Sequence, residues 1–276
     1  MDTDSKIKML EVLITMIMVV VAWIIFKWFM NKIEYLGRVN EMSRRLEKFK
    51  KLSKNKRDRI AHLIVYGYDF HDASHGYDHI LKVQNFLYEI SGENAAVTLV
   101  TGCAIHDLAQ FDSKYKDKKV FSDEELEELL LAFLSEEDVQ NVIKCVTNMS
   151  WSKEQKGENE KMESLELTLM LFVIQMADWF TSIGKDGLIK SLTYNKYALR
   201  AEDPIKNVME LYESRLKLYS PKIASMVTEI KEKYQSELDE ESVRGLDLIT
   251  RIAHRLHEEM LQLANREQLE ILYGDI

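Results

Sequence analysis

Seven histidines stand in this sequence of 276 residues, and three of them, His71, His75 and His79, fall within HDASHGYDHILKV, residues 71–83. A fourth, His106, stands beside Asp107 in AIHDLAQF. Imidazole nitrogens and carboxylate oxygens are what proteins offer to zinc-, manganese- or iron-type cations, and they must converge from rigid elements. His75 and His79 are about one helical turn apart. Adjacent helical residues such as His106 and Asp107 point about 100° apart, which lets both reach one ion lying over a helix end. A further carboxylate, Asp178, interrupts the apolar stretch VIQMADWF. An unpaired carboxylate in such a stretch is costly, so Asp178 requires a partner, either an Arg or Lys or a metal ion.

The elements that must position these groups read as helices. Two prolines and ten glycines are few for this length. Nothing alternates in the manner of sheet strands, so the fold class is all-α. Apolar residues make up 46% of the chain, enough for a sizeable core. The net charge of −9 excludes nucleic-acid binding by bulk electrostatics, and no nucleic-acid partner is expected. Cys103 and Cys145 sit in apolar surroundings and read as small core residues of a reducing compartment. The pattern predicts a helix over 54–68, another starting near Tyr77, and a buried helix through ENAAVTLVTGCAI that ends close to the His-Asp pair. Ser122 with Glu125, and Ser135 with Asp138, form capping patterns. Residues 151–164 are polar and read as an exposed loop. The apolar stretch from Leu165 onward is bracketed by Glu166 and Asp178, too closely for a membrane span, and reads as a core helix. Residues 205–236 and 240–271 read as two amphipathic helices that close the domain.

The N-terminal region differs. Residues 12–30 carry one charge, Lys27, and are about long enough to cross the hydrocarbon of a bilayer as a helix. Trp23, Trp28 and Phe29 suit an interface, and Lys27 lies where it can snorkel. No A-x-A cleavage site and no basic leader precede the run, so a single transmembrane helix is expected rather than a signal peptide. Two Lys precede the span and eleven Lys or Arg follow between Lys32 and Arg59. That asymmetry places the tail 1–11 outside and the C-terminal domain in the cytoplasm. Within a connector helix, 31–53, residues Ile33, Leu36, Val39, Met42, Leu46, Phe49 and Leu52 make one apolar stripe. Its basic remainder suits anionic headgroups, so a lipid bilayer is an expected partner. The stripe alternatively belongs to a solvated helix, or to a coiled coil that makes a homodimer through the connector.

Taken in order, the four candidate ligands resemble the HD superfamily of metal-dependent phosphohydrolases, in its YpgQ/YedJ-like branch. That branch reads D-x-S-H-D-x-x-H-I-x-R-V where this chain has DASHGYDHILKV, and L-L-H-D-I where it has AIHDL. Its I-S-F-K-G loop is similar to NMSWSKEQKG. Its S-L-E and Q-D-A-D-R-L-D-A-I-G-A-I-G-I are similar to SLELTLMLFVIQMADWFTSIGKDGLI, and its F-Y-E-K-L-L-K-L to LYESRLKL. The resemblance covers about Asn55 to Leu238. It implies an HD-domain helical bundle over 54–238, followed by a C-terminal helix, 239–276, packing on or extending it. It also implies one divalent metal ion, manganese being favoured, held by His79, His106, Asp107 and Asp178. Asp107 and His75 are then the catalytic candidates, with His75 facing the same cavity unless it is a structural partner of Asp72. Lys82 and Gln110 are the substrate-binding candidates, unless Lys82 faces solvent. The implied substrate is a small phosphorylated molecule, a nucleotide by the branch's example.

The chain also departs from the branch. Gln110 replaces an acid, Lys82 replaces an Arg, and Met176, Trp179 and Thr181 stand where the branch has Asp, Arg and Asp. Two functions therefore compete. One is a membrane-anchored phosphohydrolase; the other is a catalytically degenerate HD domain that binds metal or nucleotide as a regulatory or sensor module at the membrane.

Overall fold

The computed structural model describes residues 3–68, 76–108, 121, 123–149, 162–214 and 216–276, with the side chains of 3–15, 17, 123 and 198 outside the description. Among the described residues there is no strand, as the sparse glycine and proline and the helical apolar periods require. The helices are α1 (Thr3–Arg45), α2 (Lys54–Tyr68), α3 (Tyr77–Ser91), α4 (Val97–Ile105), α5 (Asp123–Leu131), α6 (Glu136–Thr147), α7 (Leu165–Trp179), α8 (Gly184–Thr193), α9 (Pro204–Ser214), α10 (Tyr219–Lys233), α11 (Glu240–Leu263) and α12 (Arg266–Gly274).

Local chemistry sets many of the boundaries. Ser135 Oγ accepts from the Asp138 amide at 3.1 Å, the cap expected from the sequence; Ser164 and Asp239 cap α7 and α11 in the same way. Ser122, the other expected cap, lies outside the described residues. The two long C-terminal helices expected over 205–236 and 240–271 are each broken. Pro221 has no amide hydrogen and is tolerated only in a first turn, so α10 starts afresh around it. Asn265 accepts from the Gln268 amide at 3.1 Å, which ends α11 and opens α12. The C-terminal region is thus two helices rather than one.

α3, α4 and α7 pack on one another at the centre of the bundle and carry the candidate ligands. Ile174, Met176, Phe180, Ile80, Val83 and Ile105 are fully buried here, which fixes these helices relative to one another. A Cβ at Gly102 on α4 would lie 2.4 Å from Cδ1 of Ile174, so the approach of α4 to α7 depends on that missing side chain. Gly67 plays the same part under Leu108, where a Cβ would lie 2.6 Å away.

α1 is continuous from Thr3 to Arg45, and its two parts have different surroundings. Val39 and Met42, with Leu46, Phe49 and Leu52 beyond the helix, are buried in the core beside α2. The connector stripe is consumed by the chain's own domain from Val39 onward. The residues from Val39 onward are therefore not available to a coiled-coil seam with a second copy. Trp23, Ile24, Ile25, Phe26, Trp28 and Phe29 are exposed, as are Ile33 and Leu36. Among the described residues no single helix is long and apolar enough to cross a membrane; the apolar run 12–30 begins in side chains outside the description. The core-helix reading of the stretch from Leu165 agrees with the burial of Met170, Phe172, Ile174 and Met176 on α7.

Candidate metal centre

His79 lies in the first turn of α3, His106 and Asp107 lie just past the end of α4, and Asp178 lies in the last turn of α7. Three helix ends thus deliver four side chains to one place. His79 Nε2 and His106 Nε2 are 3.3 Å apart. Asp107 Oδ2 lies 3.4 Å from His79 Nε2 and 3.3 Å from His106 Nε2. Asp178 Oδ1 lies 3.2 and 3.5 Å from the same two nitrogens. His79, His106 and Asp107 form a group whose candidate ligand atoms all lie within 4.8 Å of one another.

The other ring nitrogens settle which atoms carry lone pairs. His106 Nδ1 lies 2.9 Å from the Cys103 carbonyl, which only accepts, so Nδ1 carries the hydrogen. Thr181 Oγ1 donates to the Asp178 carbonyl at 2.7 Å, leaving its oxygen to accept from His79 Nδ1 at 3.3 Å. With Nδ1 so engaged, each imidazole in its neutral form would aim a bare Nε2 lone pair at the other and at two carboxylate oxygens. Four electron-pair donors at this spacing repel unless a cation lies among them. Asp107 Oδ2 is buried and receives no hydrogen bond among the described residues, the orphaned acceptor that such a cation would satisfy. Ligands at about 2.0–2.2 Å from one ion are separated by roughly 3.0–3.5 Å, so the observed spacing fits a divalent metal.

In the metal-free protein a proton supplies the missing charge. Burial opposes charging of His106, yet the Asp107 and Asp178 carboxylates hold its pKa well above the imidazole range. Burial alone would raise Asp107 and Asp178, and the two imidazoles hold both well below the carboxylate range. Tyr68, buried at the end of α2, lies beside Asp107; burial and then that carboxylate push its phenol well above its usual range.

The remaining candidates fare differently. Lys82, the proposed phosphate contact, pairs with Asp186 at the start of α8, Nζ to Oδ2 3.2 Å. Its ammonium is thus already committed to a carboxylate. His75 and Gln110 lie outside the described residues. His62 is exposed and meets Tyr35 Oη at 3.0 Å, a contact of the α1–α2 packing. Two contributors escaped the sequence reading. Thr181 registers there only as a lost acid, and Tyr68 carries no motif; the apolar surroundings of α2 are its only signal.

Neither a known family nor a curated protein matches the chain. Among solved structures, that of Bacillus subtilis YpgQ in complex with ADP is similar, with a TM-score of 0.50 and 19% identity over 80% of this chain and 96% of that one. At that identity the likeness concerns the fold, and it supports an HD-like helical fold for this chain.

Proposed function

We propose that the chain is a membrane-anchored, metal-dependent phosphohydrolase acting on a nucleotide or a related phosphoester or phosphoanhydride. The observation that carries the proposal is the convergence of two Nε2 lone pairs and two carboxylate oxygens at 3.2–3.5 Å, with both Nδ1 hydrogens already committed elsewhere. His79, His106, Asp107 and Asp178 are its ligand set, for one divalent ion. Such an ion supplies a Lewis acid for a phosphate oxygen and lowers the pKa of water. The residues' own task is to hold that geometry: Cys103 and Thr181 fix the imidazole tautomers, and Asp107 contributes the buried oxygen. The HD-like fold supports this reading, and the ADP of the structural neighbour supports a phosphate-bearing, nucleotide-like substrate.

The anchor rests on the exposed apolar face of α1 between Met16 and Leu36. Lys27 Nζ lies 5.3 Å from the Trp23 ring and Lys32 Nζ 5.1 Å from the Trp28 ring, pairings suited to a bilayer interface. The excess of Lys and Arg after the run supports a cytoplasmic side for the domain.

Asp186 beside Lys82 favours the second reading, a metal- or nucleotide-binding regulatory module, because its carboxylate lowers the positive potential next to His79. Activity decides between them. The full-length chain in detergent, with manganese and a nucleotide panel, is expected to release phosphate or pyrophosphate, and Asp107→Ala to abolish that release. Equal release by the two proteins rules out the enzyme; metal-stabilised folding with no turnover on any substrate selects the regulatory module.

A further inference from the structure

The metal cluster sits at one end of the bundle, and helix α1 shows which end. α3 runs in the same direction as the chain from the end of α1 to Lys50. Its first residue, Tyr77, lies within electrostatic reach of Glu41, Arg45 and Arg38. Further along, Asn85 accepts from Lys48 at 2.7 Å, Tyr88 packs edge-on against Phe49, and Glu93 beyond the helix pairs with Lys50. His79, in the first turn of α3, is therefore at the end nearer the start of α1. α2 runs the opposite way: Arg57 pairs with Glu47, Asp58 accepts from Ser43, and His62 meets Tyr35. Its last residue, Tyr68, is the one beside Asp107. Both helices put the cluster at the end from which the exposed apolar stretch of α1 leaves the domain.

The heights agree. Tyr35, where α1 begins to pack on the domain, is five residues past Met30, or about 8 Å of helix rise. One headgroup layer is about 5–8 Å thick. The domain thus starts at the outer edge of the headgroups, with the cluster's end turned towards them. Lys50, Lys51 and Lys54 fall at the other end, past Arg45, where α1 ends about 22 Å of rise from Met30, too far to touch headgroups. A separate observation marks the same end of the domain. Tyr66, one turn along α2 from His62, is 48% exposed, and its ring lies 5.5 Å from that of Phe121. A ring with an apolar body and a polar tip, exposed in the last turn of α2, suits the membrane interface.

We infer that the site takes its substrate from the bilayer surface, and that the substrate class is a phosphate ester or anhydride borne by a lipid. The inference rests on the anchored-phosphohydrolase reading above and narrows it. In the reaction a water oxygen bonds to phosphorus, the bond from phosphorus to the leaving oxygen breaks, and a water proton ends on that oxygen. Nothing is oxidised or reduced.

The test reconstitutes the full chain in phosphatidylcholine vesicles with manganese. Phosphatidic acid and CDP-diacylglycerol in those vesicles are compared with their water-soluble counterparts, glycerol 3-phosphate and CDP-glycerol. Turnover of the lipid forms is expected to be about tenfold faster or more, the gain from confining both reactants to one surface. Equal or faster turnover of the soluble forms overturns the inference and leaves the phosphohydrolase standing; no turnover of any of them overturns the inference too, and the nucleotide panel then decides the phosphohydrolase. Tyr66→Ser, at an exposed position, is expected to slow the lipid reaction severalfold and leave the soluble one unchanged; an equal change in both counts against the inference. A readout independent of activity is a dye on Tyr66→Cys or Glu93→Cys, quenched by nickel-chelating headgroups. Stronger quenching at position 66 is expected, and equal or reversed quenching overturns the orientation.

Discussion

At the far end of the bundle, Lys50 meets Glu93 and Lys48 meets Asn85. Each acceptor there has a cation or donor opposite it. At the near end, two imidazoles and two carboxylates meet with their lone pairs turned inward. The far end closes its electrostatics within the chain, whereas the near end needs a charge from outside. The difference teaches where function resides: a fold selected for stability alone has no use for four convergent acceptors, because unpaired buried acceptors weaken it.

The largest expected break of this contrast is Asp107→Ala, which removes a ligand and the orphaned oxygen together. Metal affinity by calorimetry should fall by about 100-fold or more, beyond the range typical of outer-sphere changes. An affinity within a few-fold of the parent would return Asp107 to an ordinary surface-end carboxylate.

The next effect is on pH. In the metal-free chain His106 has a raised pKa, so its contribution to stability is complete below the unfolded value of about 6.5 and is lost as pH rises through the folded one. With metal bound the sign reverses, because the ion must displace that proton, and affinity should gain about tenfold per pH unit for each proton released. Melting temperatures followed with pH should therefore slope downward above pH ~6.5 without metal and upward with a subsaturating amount. Parallel slopes would mean that the cluster does not exchange a proton for a metal ion.

Thr181→Val keeps the volume but removes the oxygen that accepts from His79 Nδ1. A loss of about tenfold in metal affinity is expected, with the fold intact by circular dichroism. Affinity unchanged from the parent would free His79 from that hydroxyl. The smallest effect belongs to the far end. Lys50→Ala removes an exposed pair and should cost about 0–1 kcal/mol in chemical denaturation, with metal affinity untouched. A measurable loss of metal affinity there would erase the distinction between the ends.

Much of the near end was legible in the sequence. His79, the His106–Asp107 doublet and Asp178 stand out because ligand-type residues in apolar helices require a reason, and helix packing does bring them together. The bounds of α2 were legible for the same kind of reason, since Lys54–Tyr68 holds one uninterrupted helical pattern. Other features were not, because they arise only between helices. Thr181 reads as a lost acid until α3 places His79 against it. Lys82 reads as a free cation until α8 brings Asp186 alongside. The stripe from Val39 to Leu52 announces an apolar face but not what covers it, and the cover is the chain's own domain. Pro221 was visible, yet the apolar period runs on through it and masks the break.

The most direct test of the central claim is anomalous diffraction from crystals of the purified chain soaked in manganese. The account predicts one strong peak with His79 Nε2, His106 Nε2, Asp107 Oδ2 and Asp178 Oδ1 each about 2.0–2.3 Å away. An empty cluster at saturating manganese, or a peak bound by other residues, would contradict it.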